Sequence, residues 1–134
     1  MDDDFYQDCM TTLVLAACAL LTWSFAAGVV RHRAQGRLMA CKSNLKGIGT
    51  ALEMYSTDWC GRYPTNINLV TPNYLKTLPT CPGARSDSYS ASYQSTSRPD
   101  VYTLYCQGMN HCEAGFIEPN YPRYQAISGV LERP

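Results

Sequence analysis

The clearest pattern in the chain is an uncharged apolar run near its N-terminus. Residues 13–30 read LVLAACALLTWSFAAGVV, and their only hydroxyl groups are those of Thr22 and Ser24. As a helix, this run is long enough to cross the hydrocarbon core of a bilayer. A buried core helix is the alternative, but the remaining roughly 100 residues are too polar and too few to surround a rod that is apolar on all sides. We therefore predict a transmembrane helix at 13–30, preceded by an acidic tail over residues 1–12.

A helical period continues after this run. Apolar residues recur at steps of three and four and form a stripe, and no proline interrupts residues 10–55. The charged residues lie off this stripe: Arg37, Lys42, Lys46 and Glu53. Such a stripe predicts an amphipathic helix with one buried face. We expect a single helix through the span and through residues 31–58, ending near Asp58 because a glycine and a proline follow. The stripe comprises Leu38, Cys41, Leu45, Ile48, Leu52 and Tyr55.

The remaining residues, 59–134, favour short strands and turns. Residues 89–93 alternate tyrosine or alanine with serine, residues 101–106 (VYTLYC) are β-prone, and the connection over 95–100 has hairpin length. Residues 123–127 and 130–131 add a further strand around Ser128 and Gly129. The predicted fold class is α+β, with the long N-terminal helix packed on a small antiparallel sheet.

Charge is balanced overall but is unevenly placed. Eleven basic residues offset eleven acidic ones, so no bulk field favours a nucleic-acid partner. Four aspartates precede the apolar run and five basic residues follow it, and we assign Arg31, Arg33 and Arg37 to the membrane surface. By the positive-inside rule alone, this distribution would leave the C-terminal part in the cytoplasm.

The seven cysteines change the picture. Cys41 lies on the buried stripe, where a thiol behaves as a small apolar group, and we expect it to stay reduced. Cys60, Cys81, Cys106 and Cys112 lie in the loop-and-strand region and can pair in three ways. The hairpin favours Cys81 with Cys106 and Cys60 with Cys112. Two such disulfides would stabilise a small domain and indicate an oxidising compartment, against the positive-inside rule.

Zinc is the rival use of these cysteines. Cys106, His111 and Cys112 with one further cysteine would supply four ligands, but the chain has no closely spaced Cys-x-x-Cys pair. We therefore prefer disulfides and assign no metal ligands.

Catalytic and cofactor residues are not evident either. The two histidines, His32 and His111, have no partner that the sequence marks as an orienting group. Gly47 and Gly49 lie mid-helix, which is the wrong context for a dinucleotide loop. We expect no enzyme activity and no cofactor, although Trp23 and Phe25 leave contact with a pigment or quinone open.

Small residues within the span point to partners. Ala16, Ala19, Ala27 and Gly28 permit close approach of neighbouring helices in lipid. We expect contacts with other membrane-protein subunits, through this helix and through the C-terminal domain, and with lipid.

A family resemblance appears over residues 31–82. The run RHRAQGRLMACKSNLKGIGTALEMYSTDWCGRYPTNINLVTPNYLKTLPTCP resembles the post-membrane helix and first loop of bacterial type IV pilin-like proteins, including G-type pseudopilins of type II secretion. The resemblance implies a helix that is half membrane anchor and half domain scaffold, and a C-terminal domain in the periplasm or outside the cell. It implies a structural subunit of a pilus or pseudopilus at the cytoplasmic membrane.

The N-terminus departs from the family pattern. Family members carry a basic leader and a glutamate used in filament assembly, whereas alignment through Gln35 and Gly36 places Met10 at the glutamate position. We therefore expect a permanent, unprocessed anchor. Two further functions stay open: an accessory subunit that stabilises a respiratory or photosynthetic membrane complex, and an external binding module formed by residues 81–112.

Overall fold

The structure, a computed structural model, describes residues 3–98 and 100–131, with the side chains of residues 3–5 and 27 outside that description. It contains a long helix, α1 (Asp3–Asp58), and four strands in one sheet. The chain divides into two compact units, Met1–Arg33 and Ala34–Pro134. A long N-terminal helix with a small antiparallel sheet confirms the predicted α+β class. The strands are β1 (Gln94–Ser97), β2 (Asp100–Tyr105), β3 (Arg123–Gln125) and β4 (Gly129–Leu131).

The first unit is helical throughout its described residues. The apolar side chains of the run are exposed, and Trp23 and Phe25 are 80% and 76% accessible. The helix is long and apolar enough to cross a membrane. Within the predicted acidic tail over 1–12, the residues from Asp3 onwards belong to α1.

In the second unit, the predicted stripe of α1 is buried. Leu45, Ile48 and Leu52 are fully covered, and Tyr55 packs against the same core. They meet Val70 from a short 3₁₀ helix, Ile67–Val70, and residues of β2, among them Leu104. The 3-4 period therefore predicted the buried face of this part of α1 correctly. It is the face from which Cys41 enters the core.

The end of α1 also agrees with the sequence. The helix ends at Asp58, and the Gly61 N–H donates to the Ser56 carbonyl at 2.8 Å. Cys60 and Gly61 adopt left-handed φ values of 55° and 84°, a conformation that a glycine accepts without strain. This turn leaves Cys60 exposed to solvent.

The sheet is antiparallel, in the order β1-β2-β3-β4. The β-prone segment at 101–106 corresponds to β2, and the strand expected around Ser128 and Gly129 is the β3–β4 pair. Gly129 opens β4 with a φ of 68°.

The first strand lies later in the chain than predicted. Residues 89–93 do not form a strand, because the Asp87 carboxylate accepts hydrogen bonds from the Tyr89 and Ser90 N–H groups at 2.9 and 3.1 Å. These bonds favour a local turn over an extended strand. Residues Ser90–Ser92 form a 3₁₀ turn, and β1 begins only at Gln94. The turn buries Tyr89 beside Cys41.

Candidate metal centre

Four side chains that bind transition metals meet in the core of the second unit. Cys41, Cys81 and Cys106 have no exposed surface, and His111 is 3% exposed. The three sulfur atoms and a nitrogen of the imidazole all lie within 4.8 Å of one another. The cluster therefore presents three sulfur donors and one nitrogen donor at a single buried point.

Different parts of the fold supply the four residues. Cys41 lies on the buried stripe of α1, and Cys106 directly follows β2, where its N–H donates to the Pro122 carbonyl at 3.1 Å. His111 precedes a short 3₁₀ turn, and its carbonyl accepts from the Ala114 N–H at 3.0 Å. Packing of the helix against the sheet thus brings together residues that are distant in the chain.

Cys81 is held in a tight loop. Its N–H donates to the Ser86 carbonyl at 3.0 Å, and its carbonyl accepts from the Arg85 N–H at 2.7 Å. Arg85 has a φ of 57°, which lets the chain reverse. A Cβ on Gly83 would lie 2.5 Å from the Asn110 carbonyl oxygen and 2.9 Å from His111 Cε1. Glycine at this position therefore allows the loop to reach the histidine.

The distances among three of the four donor atoms are short and similar. The Sγ atoms of Cys81 and Cys106 are 3.4 Å apart. His111 Nε2 lies 3.5 Å from Cys81 Sγ and 3.6 Å from Cys106 Sγ. One ring nitrogen thus faces both sulfurs.

Polar groups surround the sulfurs on their outer side. Tyr89 Oη donates to Cys41 Sγ at 3.2 Å, and Asn110 Nδ2 donates to Cys106 Sγ at 3.5 Å. Ser88 Oγ also lies 3.4 Å from Cys106 Sγ. Asn44 Nδ2 is 3.5 Å from the Tyr89 hydroxyl and 3.0 Å from the Thr80 carbonyl oxygen, so it links α1 to the Cys81 loop.

Mutual contact shifts the pKa values within the cluster. Hydrogen bonds with Cys106 and Cys41 lower the pKa of Cys81, while those with Cys106 and Cys81, together with burial, raise the pKa of Cys41. Burial alone would lower the pKa of His111, but its bonds to Cys106 and Cys81 outweigh this effect and raise it to about 9. The lowered pKa of Cys81 favours its thiolate, the form of a cysteine that binds metals.

The predicted disulfides are not formed. Cys81 and Cys106 are neighbours, as expected, but their Sγ atoms are farther apart than the roughly 2.05 Å of a disulfide bond. Cys60 and Cys112 are exposed and do not join the cluster, because the turn after α1 and the 3₁₀ turn after His111 hold them at the surface. All seven cysteines lie among the described residues and are free thiols.

The rejected zinc alternative was partly right about its members. Cys106 and His111 belong to the cluster, whereas Cys112 does not, and Cys41 is the member that sequence reasoning assigned to simple packing. One feature of the sequence could have indicated Cys41 as a member: it lies on the predicted buried face of α1, which packs on the domain that contains the other cysteines. The Cys81-Pro82-Gly83 turn was a second such feature, because a glycine in a turn indicates a close approach of the backbone to other residues.

The other sequence candidates lie outside this centre. Ala16 and Ala19 are exposed, Gly28 is half-buried, and the side chain of Ala27 lies outside the described residues. Arg31 and Arg33 are exposed, as a membrane-surface role requires. Arg37 pairs with Glu113 at 3.7 Å within the second unit.

Comparisons with known proteins add no family assignment. No protein-family model matches the chain, and searches of curated proteins and of solved structures returned no significant match.

Proposed function

We propose that the protein is a non-enzymatic, single-span, pilin-like structural subunit of a bacterial membrane or envelope assembly. One observation carries the proposal: every residue from 6 to 26 is exposed, although this part of α1 is largely apolar. Exposed apolar surface is unfavourable by about 25 cal/mol per Å² in water. Lipid and neighbouring helices are the environment that removes this penalty over a span of such length.

The second unit favours a structural role over a catalytic one. It has its own core, and its metal-ligand cluster is enclosed in that core rather than placed in a cleft. Catalytic centres need an accessible position for substrate. Together with the resemblance of residues 31–82 to pilin-like proteins, this favours a folded domain carried on a membrane anchor.

The resemblance to pilin-like proteins supports a location of this domain in the periplasm or outside the cell. With no disulfide formed, the cysteines no longer favour that side, and Arg31 and Arg33 favour the cytoplasm by the positive-inside rule. We retain the exterior placement on the resemblance. Protease treatment of intact spheroplasts tests it: digestion of a C-terminal tag supports exterior placement, whereas protection until lysis contradicts it.

Assembly through the anchor is tested at Gly28. A Cβ on Gly28 meets nothing within 4 Å, so we expect Gly28→Leu to leave the fold of the chain intact while it adds bulk at the surface of the helix. Gly47→Leu is the matched control, since Gly47 lies on α1 beyond the apolar run and its Cβ would also meet nothing within 4 Å.

In mild detergent extracts of cells that produce the protein, the wild type and Gly47→Leu should migrate on native gels in a large complex. Gly28→Leu should shift to the monomer position while staying in the membrane fraction. A monomeric wild type would contradict the proposed assembly. Wild-type chain in the soluble fraction after lysis would contradict the anchor itself.

A further inference from the structure

We propose that Cys41, Cys81, Cys106 and His111 bind one structural Zn²⁺ ion, which ties α1 to the sheet. This goes beyond the proposed function, because it concerns how the second unit is held together whatever it assembles with. The four residues are the donor set of a Cys₃His site, a common ligand set for structural zinc.

The spacing of the donors fits a tetrahedral ion. With Zn–S bonds of about 2.3 Å and a Zn–N bond of about 2.0–2.1 Å, tetrahedral ligands lie about 3.8 Å apart for two sulfurs and about 3.6 Å apart for sulfur and nitrogen. The observed separations are 3.4 Å between the Cys81 and Cys106 sulfurs, and 3.5 and 3.6 Å from these sulfurs to His111 Nε2. These three donors would therefore need shifts of only a few tenths of an ångström, and Cys41 Sγ, the fourth donor, lies within 4.8 Å of each of them.

The orientation of the His111 imidazole also fits a metal ligand. His111 directs Nε2 toward both Cys81 and Cys106, which is the orientation of a ligating imidazole. All four tetrahedral positions would be filled by protein side chains that are buried. A closed site without an open position indicates a structural and not a catalytic zinc.

The surroundings match the charge of such a centre. Three thiolates and a neutral imidazole around Zn²⁺ leave one net negative charge, which donors directed at the sulfurs would stabilise. Tyr89 Oη, Asn110 Nδ2 and the Ala84 backbone N–H are directed at Cys41, Cys106 and Cys81 respectively. Each sulfur thus has its own donor, which a plain apolar core would not require.

At this position the ion would cross-link segments that are distant in the chain. Its ligands come from α1, from the loop at Cys81 and from the segment after β2, while the strands are only three to six residues long. A metal that joins such distant segments adds its binding free energy to folding. We therefore expect the zinc-free second unit to be markedly less stable.

The first test measures metal in the full-length wild type, purified in detergent without chelators. Elemental analysis should find one zinc per chain. Alkylation in the native state should modify Cys60 and Cys112 but spare Cys41, Cys81 and Cys106 until a chelator is added. A zinc-free chain, another metal at full occupancy, or a Cys81–Cys106 disulfide in the native peptide map would each overturn the proposal.

Variants assign the ligands. Cys81→Ser should lower the zinc content roughly tenfold or more, while Cys112→Ser, which changes the exposed neighbour of His111, should keep it at the wild-type level. Zinc could also be lost because a variant does not fold. His111→Cys controls for this, because a fourth thiolate preserves a tetrahedral zinc site. It should retain zinc and, after exchange with Co²⁺, show stronger sulfur-to-metal absorption than the wild type. Unchanged spectra, or equal zinc loss in Cys112→Ser and Cys81→Ser, would contradict the assigned ligands.

Discussion

The backbone of Gly49 lies directly against the aromatic ring of Tyr124, and a Cβ on Gly49 would come within 2.5 Å of Cε1 and 2.7 Å of Cζ. The ring is also stacked on Tyr102, with a centroid separation of 6.2 Å and an interplanar angle of 13°. Tyr124 belongs to β3, so this contact joins the sheet to α1. Glycine allows the approach because any side chain would need the space that the ring occupies.

A methyl group at Gly49 should therefore destabilise the second unit. Alanine improves helix propensity by up to about 1 kcal/mol, but overpacking costs about 1–3 kcal/mol. Gly47 is the control, since a Cβ there meets nothing within 4 Å. Thermal unfolding should give a lower Tm for Gly49→Ala than for Gly47→Ala, and the latter should equal or exceed the wild type. Equal Tm values would show that the ring moves aside at no cost.

Ser92 joins the 3₁₀ turn before β1 to the end of β2. Its fully buried hydroxyl donates to the Tyr89 carbonyl at 2.7 Å and accepts from the Tyr105 N–H at 3.2 Å. Ser92→Ala removes the hydroxyl partner of the Tyr105 N–H and carbonyl, while the Tyr89 carbonyl keeps its bond from the Ser92 N–H. A buried polar group left without its partner costs about 1–3 kcal/mol. Denaturant unfolding should show this loss for Ser92→Ala but not for Ser97→Ala at an exposed position of β1. Equal midpoints for the two variants would mean that water replaces the hydroxyl.

The tyrosine at position 63 links stability to alkaline pH. Its hydroxyl donates to the Glu53 carboxylate at 2.9 Å, and burial followed by this bond raises the pKa of Tyr63 from 10 to about 12. Since the unfolded chain loses this proton first, the stabilising contribution is complete below pH 10 and is lost as the pH rises through 12.

The free energy of unfolding of the wild type should therefore fall between pH 10 and pH 12. Tyr63→Phe should show a shallower fall, although not a flat one, because burial also raises the pKa of Tyr93 to about 12. Glu53→Gln should move the Tyr63 absorbance titration to lower pH. Identical alkaline slopes in the wild type and Tyr63→Phe would refute this link.

The hydroxyl of Tyr89 allows a test of the surroundings of the proposed zinc centre. Tyr89→Phe removes the donor to Cys41 Sγ but retains the buried ring. Loss of such an outer partner typically weakens metal affinity about 10–100-fold. Competition with a zinc chelator should reveal this loss, while Tyr93→Phe, whose hydroxyl bonds to the Pro64 carbonyl and not to the cluster, should match the wild type. Equal affinities would mean that the tyrosine serves packing alone.

Local patterns in the sequence determined much of this fold. The 3-4 spacing of Leu45, Ile48 and Leu52 predicted the buried face of α1, because helical periodicity is a property of neighbouring residues. Gly61 and Pro64 likewise predicted its end. The alternation over 89–93 predicted a strand that is not formed. The Asp87 carboxylate accepts hydrogen bonds from the Tyr89 and Ser90 N–H groups, and these bonds favour a turn.

The centre at Cys41 was decided by tertiary structure alone. Cys81 and Cys106 are 25 residues apart, and only the packing of α1 on the sheet brings both to Cys41 and to His111. Sequence composition showed that cysteines and a histidine were available, but it placed Cys60 and Cys112 in disulfides and Cys41 among apolar residues. No local pattern records the distance between side chains on separate elements, because that distance depends on how the buried faces of the helix and the sheet fit together.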